Sequence, residues 1–312
     1  MIAFDDAAVL LNHADFDVIA TKLATREPTV KTGTKTLLLK DVIPLPGDDS
    51  LLFPVMHTYY HSGNLGDIIY AMYAIREHGG GNLIVGQEQN KTSPCSNPIT
   101  EEQFNKLQPL LKKQPYIQSS TWNKTWPKSD FIDLNVFRDH WNDPQLRLNY
   151  DINSLCQMHF FTLGIIEKFS SNPWLEVPDP IVTKRIVIHR SQRYRNSKFP
   201  WSVITSKYRD SLLFTGFPEE HKDFCSSFGM VEFYPVSDFL TMARLIKGAS
   251  VFVGNQSFPC SMALGMGQRT YQESWQNGHT PDSWRQSQDC LFDRPDFCHG
   301  ITDLSKFESW IC

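Results

Sequence analysis

Between residues 185 and 274, short apolar runs alternate with segments of helical spacing. RIVIH leads into a basic loop and a helix from Pro200 to about Asp210. SLLFTG precedes a helix over PEEHKDFCSSFG, and VEFYPV one over SDFLTMARLIKG. ASVFVG leads through NQS into the helix FPCSMALGMG, and RTYQES closes the series. Continuous apolar runs are the signature of strands buried on both faces, and intervening helices of about ten residues act as crossovers between parallel strands. The pattern constrains this part of the chain to an α/β, doubly wound parallel sheet. No internal repeat of solenoid length competes with that reading.

A second unit of the same kind precedes it. LLFPVMHTYY reads as a buried strand, and DIIYAMYAIREHG places apolar residues at 68, 69, 72 and 75 before stopping at Gly79-Gly80-Gly81. NLIVGQ follows as a strand. Residues 91–180 are irregular, with weaker helices over EEQFNKLQPLLKKQ and NSLCQMHFFTLGI, a short strand at YIQSS, and a proline-laden linker SSNPWLEVPDP. In the first fifty residues, KTLLLKDVIPL reads as a strand ending at a Pro-Gly turn. The 312 residues accommodate two domains. The expected division is 1–170 for a first Rossmann-like domain with an N-terminal extension and 171–290 for a second. Residues 291–312 form a C-terminal segment expected to pack back on the first domain.

A net charge of −4 gives no global attraction to nucleic acid or anionic lipid, although a local basic patch is compatible with it. No apolar stretch is long enough to span a bilayer, and the opening MIAFDDAAVLLNHADFD lacks the basic start of a secretory leader. The seven cysteines are scattered without a C-x-x-C pair, as expected of reduced thiols in the cytoplasm.

In the usual strand order 3-2-1-4-5, ligands bind in the crevice between the carboxyl ends of strands 1 and 4. Here that crevice is bounded by HRSQRYRNSKFP and GNQSFP. The first loop brings Arg190, Arg193, Arg195 and Lys198 together. The second supplies Gly254, Asn255, Gln256 and Ser257 ahead of a helix that Pro259 is well placed to start. Free N–H groups, a hydroxyl and guanidinium forks make an anion site, so the expected ligand contains a pyrophosphate, such as a nucleotide sugar. Glu273, at the end of the fifth strand, is a candidate for a ribose hydroxyl. The other reading of these loops is a solvated basic loop beside an ordinary capped helix.

In the first half, HSGNLGD joins a strand to a helix. Gly63 and Gly66 permit a tight turn and close approach by a ligand, Asn64 is a candidate cap, and Asp67 falls in the first helical turn, where the macrodipole favours a carboxylate. Taken alone this is a capped helix start. It matches neither G-x-G-x-x-G nor the P-loop pattern.

The run HSGNLGDIIYA, from His61 to Ala71, resembles the N-terminal G-D loop of ADP-heptose:lipopolysaccharide heptosyltransferases and related GT-B glycosyltransferases. VGNQSFP, from Val253 to Pro259, falls where those enzymes carry a donor-binding loop. Tyr73 stands where the family has a proline, and no histidine follows Ser257 at the family's spacing. The resemblance implies two Rossmann-like domains with a cleft between them. It also implies inverting, metal-independent transfer from a nucleotide-diphosphate sugar, without a further cofactor. Asp67 matches the family's general base. His61 is a candidate second acid/base or acceptor contact. Trp122, Trp126 and Trp141 are candidates for stacking on sugar or base, against the alternative of core packing.

Three other readings stand beside this one. The same scaffold serves a non-catalytic nucleotide or nucleotide-sugar binding module. The acceptor of a transferase could be modified DNA, met by the basic loop and aromatic residues. A dehydrogenase is disfavoured because no G-x-G-x-x-G follows either first strand.

Overall fold

The computed structural model describes residues 56–88, 95, 98–128, 130–143, 145–146, 155–165, 172–197, 199–273, 298–299 and 304–311. The expected strand at KTLLLKDVIPL, along with Lys198, lies outside them. Met56–Lys128 with Asp133–Cys312 make up one compact unit, which contains both helix-flanked sheets.

The first half begins with β1 (His57–His61), α1 (Leu65–Glu77) and β2 (Gly81–Gly86). It continues with α2 (Glu101–Leu111), β3 (Ile117–Asn123), the short β4 (Ile132–Asp133), α3 (Phe137–Trp141) and α4 (Leu155–Thr162). The sheet order is β3-β2-β1-β4, and β1–β2 and β2–β3 pair in parallel. α1 is buried without a break from Asp67 to Ile75, because it is packed between α4 and a helix of the second half. It stops where Gly79 and Gly80 take positive φ (96° and 80°), a turn that residues with a Cβ resist.

The second half contains β5 (Ile186–His189), α5 (Trp201–Tyr208), β6 (Leu212–Thr215), α6 (Pro218–Phe228), β7 (Glu232–Tyr234) and α7 (Phe239–Gly248). It is completed by β8 (Val251–Asn255), α8 (Phe258–Gly265), β9 (Thr270–Glu273), β10 (Cys298–His299) and α9 (Leu304–Ile311). Its sheet runs β10-β9-β8-β5-β6-β7, with every neighbour pair parallel. With β5 as strand 1 this is the 3-2-1-4-5 order expected from the sequence, with β10 added at the edge. The register sets His189 beside Gly254 and Asn255 beside Glu273. The carboxyl ends of β5 and β8 therefore lie side by side.

The C-terminal segment corrects an expectation. Phe307 and Ile311 of α9 are buried in the second sheet's own core, with Ile186, Trp201, Leu212 and Tyr271, and Arg185 Nη1 donates to the Ile311 carbonyl at 2.7 Å. The amphipathic helix finds its apolar partner within the second half and does not pack back on the first domain. No helix among the described residues is long and apolar enough to cross a membrane.

The proline-rich linker is pinned to both halves. Trp174 Nε1 donates to the Ile69 carbonyl of α1 at 2.9 Å, and its ring stacks on Tyr73 at 4.8 Å and 8°. The backbone N–H groups of Trp174 and Leu175 donate to the carbonyl of Gly265 at the end of α8, at 2.8 and 3.0 Å. A Cβ on Gly265 would overlap Leu175 and approach Trp174 closely.

Candidate functional site

The amino-terminal ends of α1 and α8, one from each half, meet. A Cβ added to Gly66 would sit 3.6 Å from Ser261 Oγ and 4.0 Å from the Cα of Phe258, so the two helix starts approach to van der Waals distance. Beside this contact opens a cavity of about 270 Å³. The first half lines it with Asn64, Leu65, Gly66, Asp67, Tyr70, Gln103 and Leu155. The second half contributes His189, Ser191, Arg193, Tyr194, Gly216, Phe217, Glu220 and the 256–259 turn, among others. The two sequence stretches HSGNLGD and GNQSFP thus share one cavity at the β5/β8 switch point.

Asp67 is held on one oxygen. Its Oδ2 accepts the Asn64 N–H at 3.3 Å and Arg138 Nη2 at 2.9 Å, while Oδ1 has no partner among the described residues. Arg138, on α3, is itself fixed: Nη1 donates to Asn135 Oδ1 at 3.2 Å. That oxygen also accepts the backbone N–H and hydroxyl of Ser62, at 2.9 and 3.1 Å. The Asn135 amide is oriented by Asp133 Oδ1, which accepts its Nδ2 at 2.7 Å and its backbone N–H at 2.9 Å. Burial pushes the Asp133 carboxyl above its usual range. Gly63 leaves the passage through which Arg138 reaches Asp67, since a Cβ there would overlap the guanidinium and crowd His61 and Asp67.

His61 lies behind the site rather than on it. It is fully buried and its Nδ1 accepts the Gly63 N–H at 2.9 Å. Burial, then neighbouring His159 and Arg138, holds it well below the ordinary histidine range. It is a neutral ring that shapes the turn, which corrects the expectation of an acid/base or acceptor contact. Trp122 and Trp126, both half-buried, lie against Phe104 and Tyr60 respectively and are not among the residues lining the cavity. The side chain of Trp141 lies outside the described residues.

On the second half's side, two of the expected phosphate ligands are otherwise engaged. Arg190 turns away from the cavity and grips Glu273: Nε lies 3.1 and 2.8 Å from the two carboxylate oxygens, and Nη2 lies 2.7 Å from Oε1. Glu273, with no exposed surface, also accepts the Asn196 N–H and Trp201 Nε1, each at 2.8 Å. A carboxylate so saturated has no place for a ribose hydroxyl, and Arg190 is held against it through Nε and Nη2. Arg195 pairs with Asp223 and donates to the Ser191 carbonyl. Arg193 remains on the cavity, its guanidinium carbon 5.5 Å from the Tyr194 ring centroid.

The β8 turn divides its labour. Gly254 sits where a Cβ would meet the His189 carbonyl at 2.8 Å, so its lack of a side chain allows β8 to lie against β5. Asn255 is fully buried and clamps the opposite loop. Its Oδ1 accepts the Ser191 N–H at 3.0 Å, and its Nδ2 donates to the carbonyls of Ser191 and Arg193. Gln256 and Ser257 face the cavity, with Ser257 as N-cap of α8 and Pro259 in its first turn. N–H groups of an α-helix's first turn have no intrahelical acceptor.

Sequence reasoning missed Arg138, His189 and Glu220. His189 ends the first strand of the second half, which is a recognisable position. Its Nδ1 donates to the Thr215 carbonyl at 2.9 Å and lies 3.9 Å from Glu220 Oε2. Gly216, with φ 145°, lets these groups approach, because a Cβ there would fall 2.7 Å from His189 Nδ1 and 2.9 Å from Glu220 Oε2. No group of three or more His, Cys, Asp or Glu side chains positioned to hold a metal occurs among the described residues.

No protein-family model and no curated protein sequence matches this chain. Among solved structures, similarity extends to the heptosyltransferase WaaC of E. coli with ADP-2-deoxy-2-fluoro heptose (9% identity, TM-score 0.44, 73% of this chain and 91% of that one). It extends also to a glycosyl transferase family 9 protein of Veillonella parvula (13%, 0.47, 81% and 87%). A third is the dodecameric iron-containing heptosyltransferase TibC in complex with ADP-D-beta-D-heptose (16%, 0.47, 78% and 67%). The two-sheet architecture of the present chain is established by its own strand order and register.

Proposed function

We propose that the chain is a glycosyltransferase of GT-B type, transferring a sugar from a nucleotide-diphosphate sugar to an acceptor hydroxyl, with Asp67 as general base. The observation that carries the reading is the shared cavity. Asp67, with one oxygen unpartnered among the described residues, lines the first half's side, and the start of α8 with Arg193 lines the other. An acceptor hydroxyl is a poor nucleophile until its proton is leaving, and the carboxylate is the group that accepts that proton. The departing diphosphate gathers negative charge, for which a helix N-terminus and a guanidinium are suited stabilisers. Direct displacement between two such walls inverts the anomeric centre and needs no metal. A cytoplasmic location goes with this reading.

Asp67→Asn should retain nucleotide-sugar binding and lose transfer by roughly 10²–10⁴-fold, the range for a general base. Undiminished turnover in that variant overturns the assignment. Substrates come from a thermal-shift screen of nucleotide diphosphates and their sugars, followed by mass spectrometry with glycan, lipid-linked, protein and modified-DNA acceptors. The Asp67–Arg138 ion pair favours one other reading, a nucleotide-sugar binding module in which the carboxylate is an anchor. Donor binding without transfer or hydrolysis across that panel would establish it.

A further inference from the structure

His189 occupies the place where the fold concentrates ligand contacts, the carboxyl end of β5 next to β8, and its ring lines the cavity. Its neighbour in register is Gly254, which brings no side chain of its own against the ring. A carbonyl oxygen cannot donate, so the contact with Thr215 fixes the proton on Nδ1 and leaves Nε2 with a lone pair. Nε2 has no hydrogen-bond partner among the described residues.

The charges around the ring are few. From α6 it faces Glu220, while Arg193 of the 190–197 loop and Asp67 of α1 line the same cavity. Arg190, next in sequence, is directed to Glu273. Arg193 is the one arginine or lysine among the described residues lining the cavity, whereas a nucleotide diphosphate brings at least two negative charges. We infer that His189 binds the diphosphate of the donor as an imidazolium, Nε2 taking a proton from solvent as the anion enters.

The inference rests on the donor-binding part of the proposed function. No bond to the ligand is made or broken: the proton passes from water to Nε2, and the imidazolium donates it as a charge-assisted hydrogen bond to a phosphate oxygen. Burial holds the imidazole below the ordinary histidine range, while Glu220 and the Thr215 hydrogen bond act in the opposite direction. A neutral resting ring with a carboxylate behind it is poised to charge when an anion arrives. Gly216 serves the same end, since any side chain there would separate the carboxylate from the ring.

The test is nitrogen NMR of protein labelled in the histidine rings, at pH 7, with and without saturating ADP or UDP. The His189 signals are assigned by their loss in His189→Gln. If that variant does not fold, they are assigned by their displacement in Glu220→Gln. One protonated and one bare nitrogen are expected in the free protein, and two protonated nitrogens in the complex. His189→Gln is expected to weaken the nucleotide by roughly tenfold or more, as loss of a charge-assisted contact does. Glu220→Gln should lower the protonated fraction of His189 in the complex. A nucleotide that binds while His189 stays neutral overturns the inference and leaves the proposed function intact. Failure of ADP, UDP and every other nucleotide diphosphate of the screen to bind overturns both.

Discussion

Arg190→Met is the substitution that separates a ligand from a structural member. Arg190 is 7% exposed and Glu273 not at all, and the two are joined through Nε and Nη2. Removing one partner of such a pair leaves an uncompensated buried charge, at about 3–5 kcal/mol. With a urea slope of about 2–3 kcal/mol per molar, the unfolding midpoint should fall by roughly 1–2 M. Arg190→Met/Glu273→Gln removes both charges but keeps an acceptor for Asn196 N–H or Trp201 Nε1. It should therefore lose less than the sum of the two single variants, the signature of direct coupling. The assay is urea unfolding followed by tryptophan fluorescence, read beside nucleotide titrations of the folded variant. An unchanged midpoint with weakened nucleotide binding would refute this reasoning and return Arg190 to the cavity.

Arg138→Gln should lower kcat for sugar transfer more than it weakens donor binding, because it removes the guanidinium from Asp67 Oδ2 without touching the second half; unchanged kcat tells against a positioning role. Gly63→Ala forces a methyl group against the Arg138 guanidinium and should destabilise by about 1–3 kcal/mol, which thermal or urea unfolding will show. Asn255→Ala removes the clamp on the Ser191–Arg193 loop and is expected to weaken nucleotide binding; an affinity equal to wild type would show the loop holds its shape without it. His159, buried beside His61, is held from the ordinary 6.5 down to about 3 by burial and then Arg138. Its folded value is depressed, so the unfolded chain takes the proton first. Stability is full above about pH 6.5 and falls toward pH 3, at up to about 1.4 kcal/mol per pH unit for each such histidine. His159→Leu should flatten the difference between unfolding midpoints at pH 7 and pH 5.

Much of the scaffold was legible because its signals are local. Apolar runs and crossover helices set the order of β5 to β9, and Asn64, Ser257 and the 79–81 glycines mark where helices begin and end. The switch-point rule brought HRSQRYRNSKFP to GNQSFP, and the cleft that the resemblance implies set HSGNLGD opposite them. Side-chain partnership was not legible. Arg190 and Glu273 are 83 residues apart and bonded, and Arg138 and Asp67 are 71 apart. A charged residue in a loop looks the same in sequence whether it faces a ligand or a carboxylate across a sheet. α9 was misplaced for a related reason: an apolar stripe declares that it will be buried, but not against which half. His189 and Glu220 carry their meaning only once β5 and β6 lie side by side.

Trp174 has a mechanical consequence. A chain crossing between two α/β halves usually serves as a hinge, and substrate capture then requires the halves to swing together. Here the crossing strip is tied to α1 through its indole and to the end of α8 through two backbone N–H groups, while Gly66 sets the helix starts in contact. The crossing is therefore braced against both walls of the cavity, and a change in their spacing would have to break the Trp174 indole bond or the two backbone bonds to Gly265.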